Sequence, residues 1–487
     1  MTLPTGRICV TGAEPSLAQV ADRIRALPEA SRHEVRVDLL EAGAPADLAS
    51  LPARDRLIVT CRRAEEGGRF QGADADQVAW LRAALAAGVA AVDVEAAAPE
   101  PVWRALADVE APRLIASVHV HETGRCTDAA LAASRDRLAA RPAAVLKLAV
   151  ATQDVCELGP LRRLEAPAHR PLVRIGMGRA GQVGRACPRA LHSAWTYVTA
   201  PDAPGTAPGQ LDYAALARFP DADPGLLVLL GGPQVAHSPG PRVYTRLAVA
   251  TGQPLVYLPA PTADVVRAVR ELEAFGLVGA SVTMPHKAAV APVARAQGFA
   301  RRVGAINTLV RTPDGAGWLG ENTDGLGVLH ALSPALAGGV RQVLVLGTGG
   351  AARAAAFAVA EAGHRVAVAG RNPASAAALA RDVGGPVVPW DERAAAPFEV
   401  LINATPVGAD GQSSPVPVGL AWQGRTVLDM LLHPRQTALL RDVTAGGGVA
   451  VSGLAMWVGQ GAAQWARWTG EAVAPERLLG LVDPEET

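Results

Sequence analysis

Lys147 interrupts Ala143-Ala-Val-Leu-Lys-Leu-Ala-Val150, a run that is otherwise wholly apolar. Burial there would disfavour the charged amine and leave the neutral nucleophile that forms a Schiff base with a carbonyl. Alternatively the lysine stem carries its head out to water, or one face of the strand is wet. His119 ends the neighbouring run, Arg113–His119, and an imidazole beside an imine can act as general acid and base. Arg62 and Arg185 carry the planar fork that grips a carboxylate bidentately, or else they make ordinary surface ion pairs. A different chemistry is legible in Arg341-Gln-Val-Leu-Val-Leu-Gly-Thr-Gly-Gly350-Ala-Ala-Arg, which reads as strand, glycine-rich turn and helix start. Gly347 and Gly349 would let a pyrophosphate approach the backbone at a helix N-terminus, with Ala352 at the third glycine position. In a chain with 50 glycines the same run also reads as a plain strand-to-helix turn. The next strand, His364–Ala369, leads into Gly370-Arg371-Asn372 and offers no acid for an NAD ribose. Arg371 suits a 2′-phosphate, so the expected cofactor is NADP, with Arg353 able to assist.

The elements that must position these groups follow from length and pattern. A chain of 487 residues with 49% apolar content divides into two or three domains. Lys+Arg and Asp+Glu both number 46, so no charge excess calls for nucleic acid or an acidic membrane, and small-molecule substrates are expected. The five cysteines form no CxxC pair, and no secretory signal precedes them, which reads as reduced thiols in a cytoplasmic protein. Arg82, Asp93 and Glu95 break the Ala-rich stretch from Trp80 to Ala98, so it falls short of a span of about 20 apolar residues.

Eight strand-like runs occupy the first 200 residues: Arg7–Thr11, His33–Leu40, Arg56–Cys61, Ala90–Glu95, Arg113–His119, Ala144–Val150, Pro171–Met177 and Trp195–Thr199. Helix-like segments separate most of them, which predicts a parallel sheet closed as a (β/α)8 barrel. Chemistry in such a barrel belongs at the C-terminal strand ends. Polar residues cluster there: Glu34, Arg36 and Asp38; Arg62, Arg63 and Glu66; His119 and His121; Lys147; Arg185; Thr206 and Gln210. Arg218-Phe-Pro-Asp-Ala-Asp-Pro-Gly225 reads as the linker to the second half.

Six ordered pieces resemble type I 3-dehydroquinate dehydratase: Glu34-x-Arg36-x-Asp38, Arg62 with Glu66-Gly67-Gly68, Ser117-x-His119, Lys147-x-Ala149, Met177-Gly178-x-x-Gly181-x-x-x-Arg185 and Ala207-Pro208-Gly209-Gln210. The resemblance implies a TIM-type barrel over 1–220 in which Lys147 forms the imine, His119 shuttles protons and Glu66 assists and orients. It implies that Arg185 takes the substrate carboxylate, while Glu34, Arg36, Arg62, Thr206 and Gln210 bind hydroxyls or shape a closing loop. No metal is implied. Thr206 stands where that family has serine, and Val120-His121 replaces an aspartate and an aromatic residue. On a continuing strand His119 and His121 would face the same side.

From about 226 to 484 the chain resembles shikimate dehydrogenase, through His237-Ser238, Ser281-Val282-Thr283-x-Pro285-x-Lys287, Gly304-Ala305-Ile306-Asn307-Thr308, Glu321-Asn322-Thr323-Asp324-Gly325, Asn403-Ala404-Thr405-Pro406, Asp429-Met430 and Gly453-x-x-Met456-x-x-x-Gln460. The resemblance implies a substrate domain at 226–325, completed by 450–487, around an NADP-binding Rossmann domain at 326–449. It implies a catalytic pair Lys287 and Asp324, with Ser238, Thr283, Asn307 and Gln460 on the substrate. Gly350, Ala351, Asn372, Thr405 and Gly453 complete the expected cofactor set. Three departures stand out: Gly240 where a carboxylate-binding hydroxyl is usual, Ser281 for asparagine, and Leu431-Leu432 for a tyrosine after Asp429-Met430. Three readings follow. In the first the two halves run consecutive steps from 3-dehydroquinate to shikimate. In the second the reductase favours quinate and dehydroquinate. In the third the second half is an NADP-binding module without turnover.

Overall fold

A computed structural model describes residues 6–167, 170–201 and 203–482, with only the backbone at Ala236 and His237. The His237 side chain and the outermost residues of the expected domains therefore lie outside the described residues. Compactness divides the chain into Met1–Ser238 with Pro254–Leu277, and Pro239–Gln253 with Val278–Thr487.

In the first unit the strands are β1 (Ile8–Thr11), β2 (Arg32–Arg36), β3 (Leu57–Thr60), β4 (Ala91–Glu95), β5 (Leu114–Val120), β6 (Val145–Ala151), β7 (Leu172–Met177) and β8 (Thr196–Thr199), mostly apolar runs, with β2 the polar exception. All eight expected strands are present. Their order is β7-β6-β5-β4-β3-β2-β1-β8, and every pairing is parallel. That is the cyclic order of a barrel, with the seam between β7 and β8. No ladder joins those two strands among the described residues. Instead, the Ala194 N–H donates to the Leu172 carbonyl at 3.0 Å, and the Ser193 hydroxyl accepts from the Arg174 N–H at 2.9 Å. Cys9, Ile58, Ala91, Ile115, Val145, Val173 and Trp195 fill the interior. The strand expected over His33–Leu40 stops at Arg36. Asp38 then accepts both Arg36 guanidinium bonds, at 2.9 and 2.7 Å, and the backbone N–H groups of Arg62 and Arg69, which turns Val37–Leu39 into a single helical turn.

In the second unit, six parallel strands run in the order Val387–Val388, Arg365–Ala369, Gln342–Leu346, Val400–Asn403, Thr426–Asp429, Val449–Ser452. Chain order reverses between Gln342–Leu346 and Val400–Asn403. In doubly wound sheets ligands bind at that switch point, beyond the carboxyl ends of the strands. The same unit holds antiparallel strands Thr308–Arg311 and Trp318–Glu321, helix Asp324–Leu336 and helix Gly453–Thr469. All five cysteines of the chain are unpaired and buried. No helix of the described residues is long and apolar enough to cross a membrane.

Candidate active sites

The barrel strands alternate side chains between lumen and helices, so residues two apart share a face. Ser117 lies in register with Lys147 on the adjoining strand, and His119 follows Ser117 on the same face. Lys147 is buried, and its Nζ donates to Asp93 Oδ2 at 3.0 Å and to Glu34 Oε1 at 3.4 Å. The Tyr197 ring lies 4.2 Å from the same nitrogen. Glu34 is fixed by the hydroxyls of Thr11 and Thr60, each at 2.9 Å. Burial would raise the Asp93 carboxyl, but Arg62 and Lys147 hold it well below the carboxylate range. Burial and Lys147 oppose each other likewise at Glu34, and the net shift is downward. Lys147 is thus a buried amine with two anions beside it, rather than a lone desolvated one.

Glu66 Oε2 accepts from the His119 backbone N–H at 3.0 Å and lies 3.1 Å from His119 Nδ1. Burial, reinforced by Arg62 and Lys147, holds the His119 imidazole well below its usual value, which favours the neutral ring. Burial pushes the Glu66 carboxyl up to about 7, against the pull of Arg62. An ionised Glu66 accepts Nδ1–H and leaves Nε2 as the basic nitrogen, whereas a protonated Glu66 donates to Nδ1 and reverses the tautomer. His121 does not join this pair, because β5 ends at Val120. The exposed His121 ring lies over Gly67 instead.

Two expected roles change, those of Arg62 and Arg36. Arg62 donates to Asp93 at 2.8 Å and to Ser117 at 2.7 Å, and it pairs with Glu95 at 3.2 Å. A guanidinium so committed holds the acidic cluster together and is not free to clamp a substrate carboxylate. Arg36 is likewise closed by its bidentate pair with Asp38. Arg185 donates from Nε to the Gly176 carbonyl at 3.1 Å and from Nη1 to the Tyr197 carbonyl at 3.4 Å, which staples the seam between β7 and β8. No carboxylate meets it among the described residues, and burial lowers it to about 10. Thr206 and Gln210 close a loop on each other, with Gln210 Oε1 accepting the Thr206 N–H at 2.7 Å, and the Thr206 hydroxyl lies 3.5 Å from that of Thr11. Asp93 was missed. Its signal was an acid inside the apolar run of β4, the same anomaly that singled out Lys147 in β6.

In the second unit, Lys287 Nζ donates to Asp324 Oδ2, and Asn307 Nδ2 donates to Asp324 Oδ1 at 2.8 Å. Asp324 is the first residue of helix Asp324–Leu336, where a carboxylate gains from the helix dipole. Asn307 also donates to Gln460 Oε1 at 3.2 Å, so Lys287, Asp324, Asn307 and Gln460 form one cluster. Thr283 is half-buried just past strand Leu277–Val282. Ser238 falls in the other compact unit.

The nucleotide turn abuts this cluster. A Cβ on Gly350 would lie 3.6 Å from Lys287 Cβ and Cδ. Gly347 has φ +112°, and a Cβ there would meet the Ala404 carbonyl oxygen at 3.0 Å. Beside it, Thr405 is held by Asn403 Oδ1 at 2.7 Å. A Cβ on Gly349 would meet nothing within 4 Å, so the backbone ahead of helix Gly350–Glu361 is open to an approaching phosphate, with Ala351 in the first turn. Arg371 is exposed beyond strand Arg365–Ala369, and the Asn372 side chain caps the following helix through the Ser375 N–H at 3.1 Å. Arg353 is not free to assist a phosphate, because it donates to the Val303 carbonyl at 2.6 Å and to Asp382 at 3.1 Å. Gly453 serves packing, since any side chain would strike the Leu431 carbonyl oxygen, 2.4 Å from the Cβ position. The open Gly349, the helix N-terminus and Arg371 fit a dinucleotide with a 2′-phosphate.

Residues 8–221 match the family model described as type I 3-dehydroquinase. Residues 230–309 match the shikimate dehydrogenase substrate binding domain, and 342–431 match a family described as NADP oxidoreductase, coenzyme F420-dependent. An NADP(+) shikimate dehydrogenase of Acidiphilium cryptum is 42% identical over 251 residues, which are 49% of this chain and 88% of that protein. The solved shikimate dehydrogenase of Aquifex aeolicus is 27% identical, with TM-score 0.51, over 54% of this chain and 98% of its own. A solved dehydroquinate dehydratase and shikimate dehydrogenase from S. pombe is 24% identical, with TM-score 0.45, over 98% of both chains.

Proposed function

The chain belongs to the shikimate dehydrogenase family and carries a type I 3-dehydroquinase domain ahead of it, and from that premise we propose one polypeptide that performs two consecutive steps. It dehydrates 3-dehydroquinate to 3-dehydroshikimate and then reduces that product to shikimate with NADPH. The observation that carries this reading is that each half sets a lysine against carboxylates inside a built cluster, Lys147 with Asp93 and Glu34, and Lys287 with Asp324.

In the barrel, Lys147 Nζ passes its ammonium proton to the neutral His119 and adds to the substrate C3 carbonyl; the imidazolium returns that proton to the departing water, which leaves the protonated imine. The imine acidifies C2–H, neutral His119 removes that proton, and hydroxide leaves C1 with a proton returned by the imidazolium. Hydrolysis then frees Lys147. Arg185, with donors beyond those that staple the seam, is the proposed partner for the substrate carboxylate; Glu34, Thr206 and Gln210 are the proposed partners for its hydroxyls. The tautomer relation between Glu66 and His119 gives a pH dependence. Since Glu66 must be ionised to leave His119 Nε2 basic, dehydration should fall as pH drops through about 7. Glu66→Gln should slow dehydration and remove that limb from the kcat/KM profile; a limb that persists unchanged would place the ionisation elsewhere.

In the second half, NADPH supplies the hydride. Lys287 gives the developing alkoxide its proton, Asp324 holds and orients the ammonium, and Asn307, Gln460 and Thr283 are the proposed ligands of the ring hydroxyls and carboxylate. Arg371 selects the 2′-phosphate. The protein is proposed to be cytoplasmic, with small molecules as its partners and neither nucleic acid nor membrane among them. Steady-state reduction of 3-dehydroshikimate and 3-dehydroquinate, each with NADPH and NADH, tests the substrate. The expected result is the highest kcat/KM for 3-dehydroshikimate with NADPH. Equal or better use of dehydroquinate would move the assignment to quinate, as Gly240 suggests.

A further inference from the structure

Gln464 lies one helical turn past Gln460 in helix Gly453–Thr469 and is 1% exposed. Both ends of its carboxamide are fully bonded. Oε1 accepts from the Ser281 hydroxyl at 2.8 Å and from the Tyr244 hydroxyl at 3.1 Å. Nε2 donates to the Asn307 carbonyl at 3.1 Å and to Thr308 Oγ1 at 3.0 Å. Thr308 in turn donates to Asn307 Oδ1 at 2.6 Å, so Gln464 grips Asn307 at its backbone and, through Thr308, at its side chain. Asn307 is the residue that addresses Asp324 and Gln460. The Tyr244 ring stacks on Trp465 with centroids 6.3 Å apart and packs against Trp457 and Trp468, which keeps water from the network. In such a dry setting a satisfied carboxamide holds its neighbours rigidly, and an unsatisfied one is costly.

We propose that Gln464 is a positioning residue for the reduction: from behind the site it fixes Asn307, and through Asn307 the aim of Asp324 at Lys287. The inference rests on the dehydrogenase reading of this half. It also gives Ser281 a different meaning. Where the family resemblance leads one to expect an asparagine, the serine hydroxyl anchors a carboxamide that arrives instead from helix Gly453–Thr469. Ser281 therefore supports the site.

Gln464→Met keeps the side-chain length and removes all four bonds. Its kcat for reduction should fall about tenfold or more, as expected when a reacting group loses its alignment. NADPH affinity and the dehydration rate should be unchanged. Adding Ser281→Asn should return part of the lost kcat, because it restores a carboxamide to the same space, a rescue that a merely structural role would not give. The double variant Tyr244→Phe with Ser281→Ala strips only Oε1 and should lower kcat less, again with NADPH affinity intact; it serves if Gln464→Met does not fold. A variant that binds NADPH and reduces at the wild-type kcat overturns the inference alone. A wild-type chain that binds NADPH but reduces neither ketone overturns the dehydrogenase reading and the inference with it.

Discussion

Lys147→Met should abolish dehydration, by roughly four orders of magnitude or more, while reduction of 3-dehydroshikimate continues at the wild-type kcat. The size follows from the chemistry. Without the amine no imine forms, and the C2 proton stays next to an ordinary ketone that His119 alone activates poorly. Lys147→Arg should be equally inactive, since a guanidinium keeps the charge between Asp93 and Glu34 but cannot become a nucleophile at neutral pH. That pair of variants separates covalent chemistry from electrostatics. The readout is the absorbance of the conjugated enone, together with borohydride reduction in the presence of 3-dehydroquinate. Borohydride should add the mass of the reduced adduct at Lys147 and nowhere else. Dehydration surviving in Lys147→Arg would remove the imine from the mechanism.

Lys287→Met should have the second largest effect, lowering kcat for reduction by roughly 10²- to 10⁴-fold, the usual worth of a positioned proton donor. NADPH affinity should hold, because the glycine turn and Arg371 bind the nucleotide without the ammonium. Asp324→Asn should lose less. It keeps a polar group beside Asn307 and the helix N-terminus but removes the charge that orients the lysine. Transient kinetics with NADPH bound would place the loss in the chemical step. Loss of nucleotide binding in Lys287→Met would assign the lysine to the cofactor instead.

Most strand positions are legible because parallel barrel strands are buried on both faces and read as continuous apolar runs; Arg32–Arg36 is the exception, a polar strand. The second strand is shorter than the expected His33–Leu40 because Asp38 turns back to Arg36 and to the backbone of Arg62 and Arg69, which nothing in Val37-Asp-Leu39 reveals. Lys147 was conspicuous as a charge within such a run. Asp93 was equally conspicuous, yet its charge counted only against a membrane span, and its pairing with Lys147 depends on a register that crosses two strands. The arginines were hardest to assign. Residue type shows that a guanidinium can grip a carboxylate, but not that Arg62 already holds Asp93, that Arg185 bridges carbonyls of β7 and β8, or that Arg353 is bound to Val303. The Gln464 network was invisible, since it joins residues 183 and 220 positions apart in the chain.

The most direct measurement follows the whole chain with 3-dehydroquinate and NADPH in one vessel. Wild type should oxidise NADPH and yield shikimate after a lag in which 3-dehydroshikimate appears. Lys147→Met should oxidise no NADPH from 3-dehydroquinate, yet do so at the wild-type rate once 3-dehydroshikimate is added. NADPH oxidation by Lys147→Met from 3-dehydroquinate, or a wild type that stops at 3-dehydroshikimate, would contradict two consecutive activities on one chain.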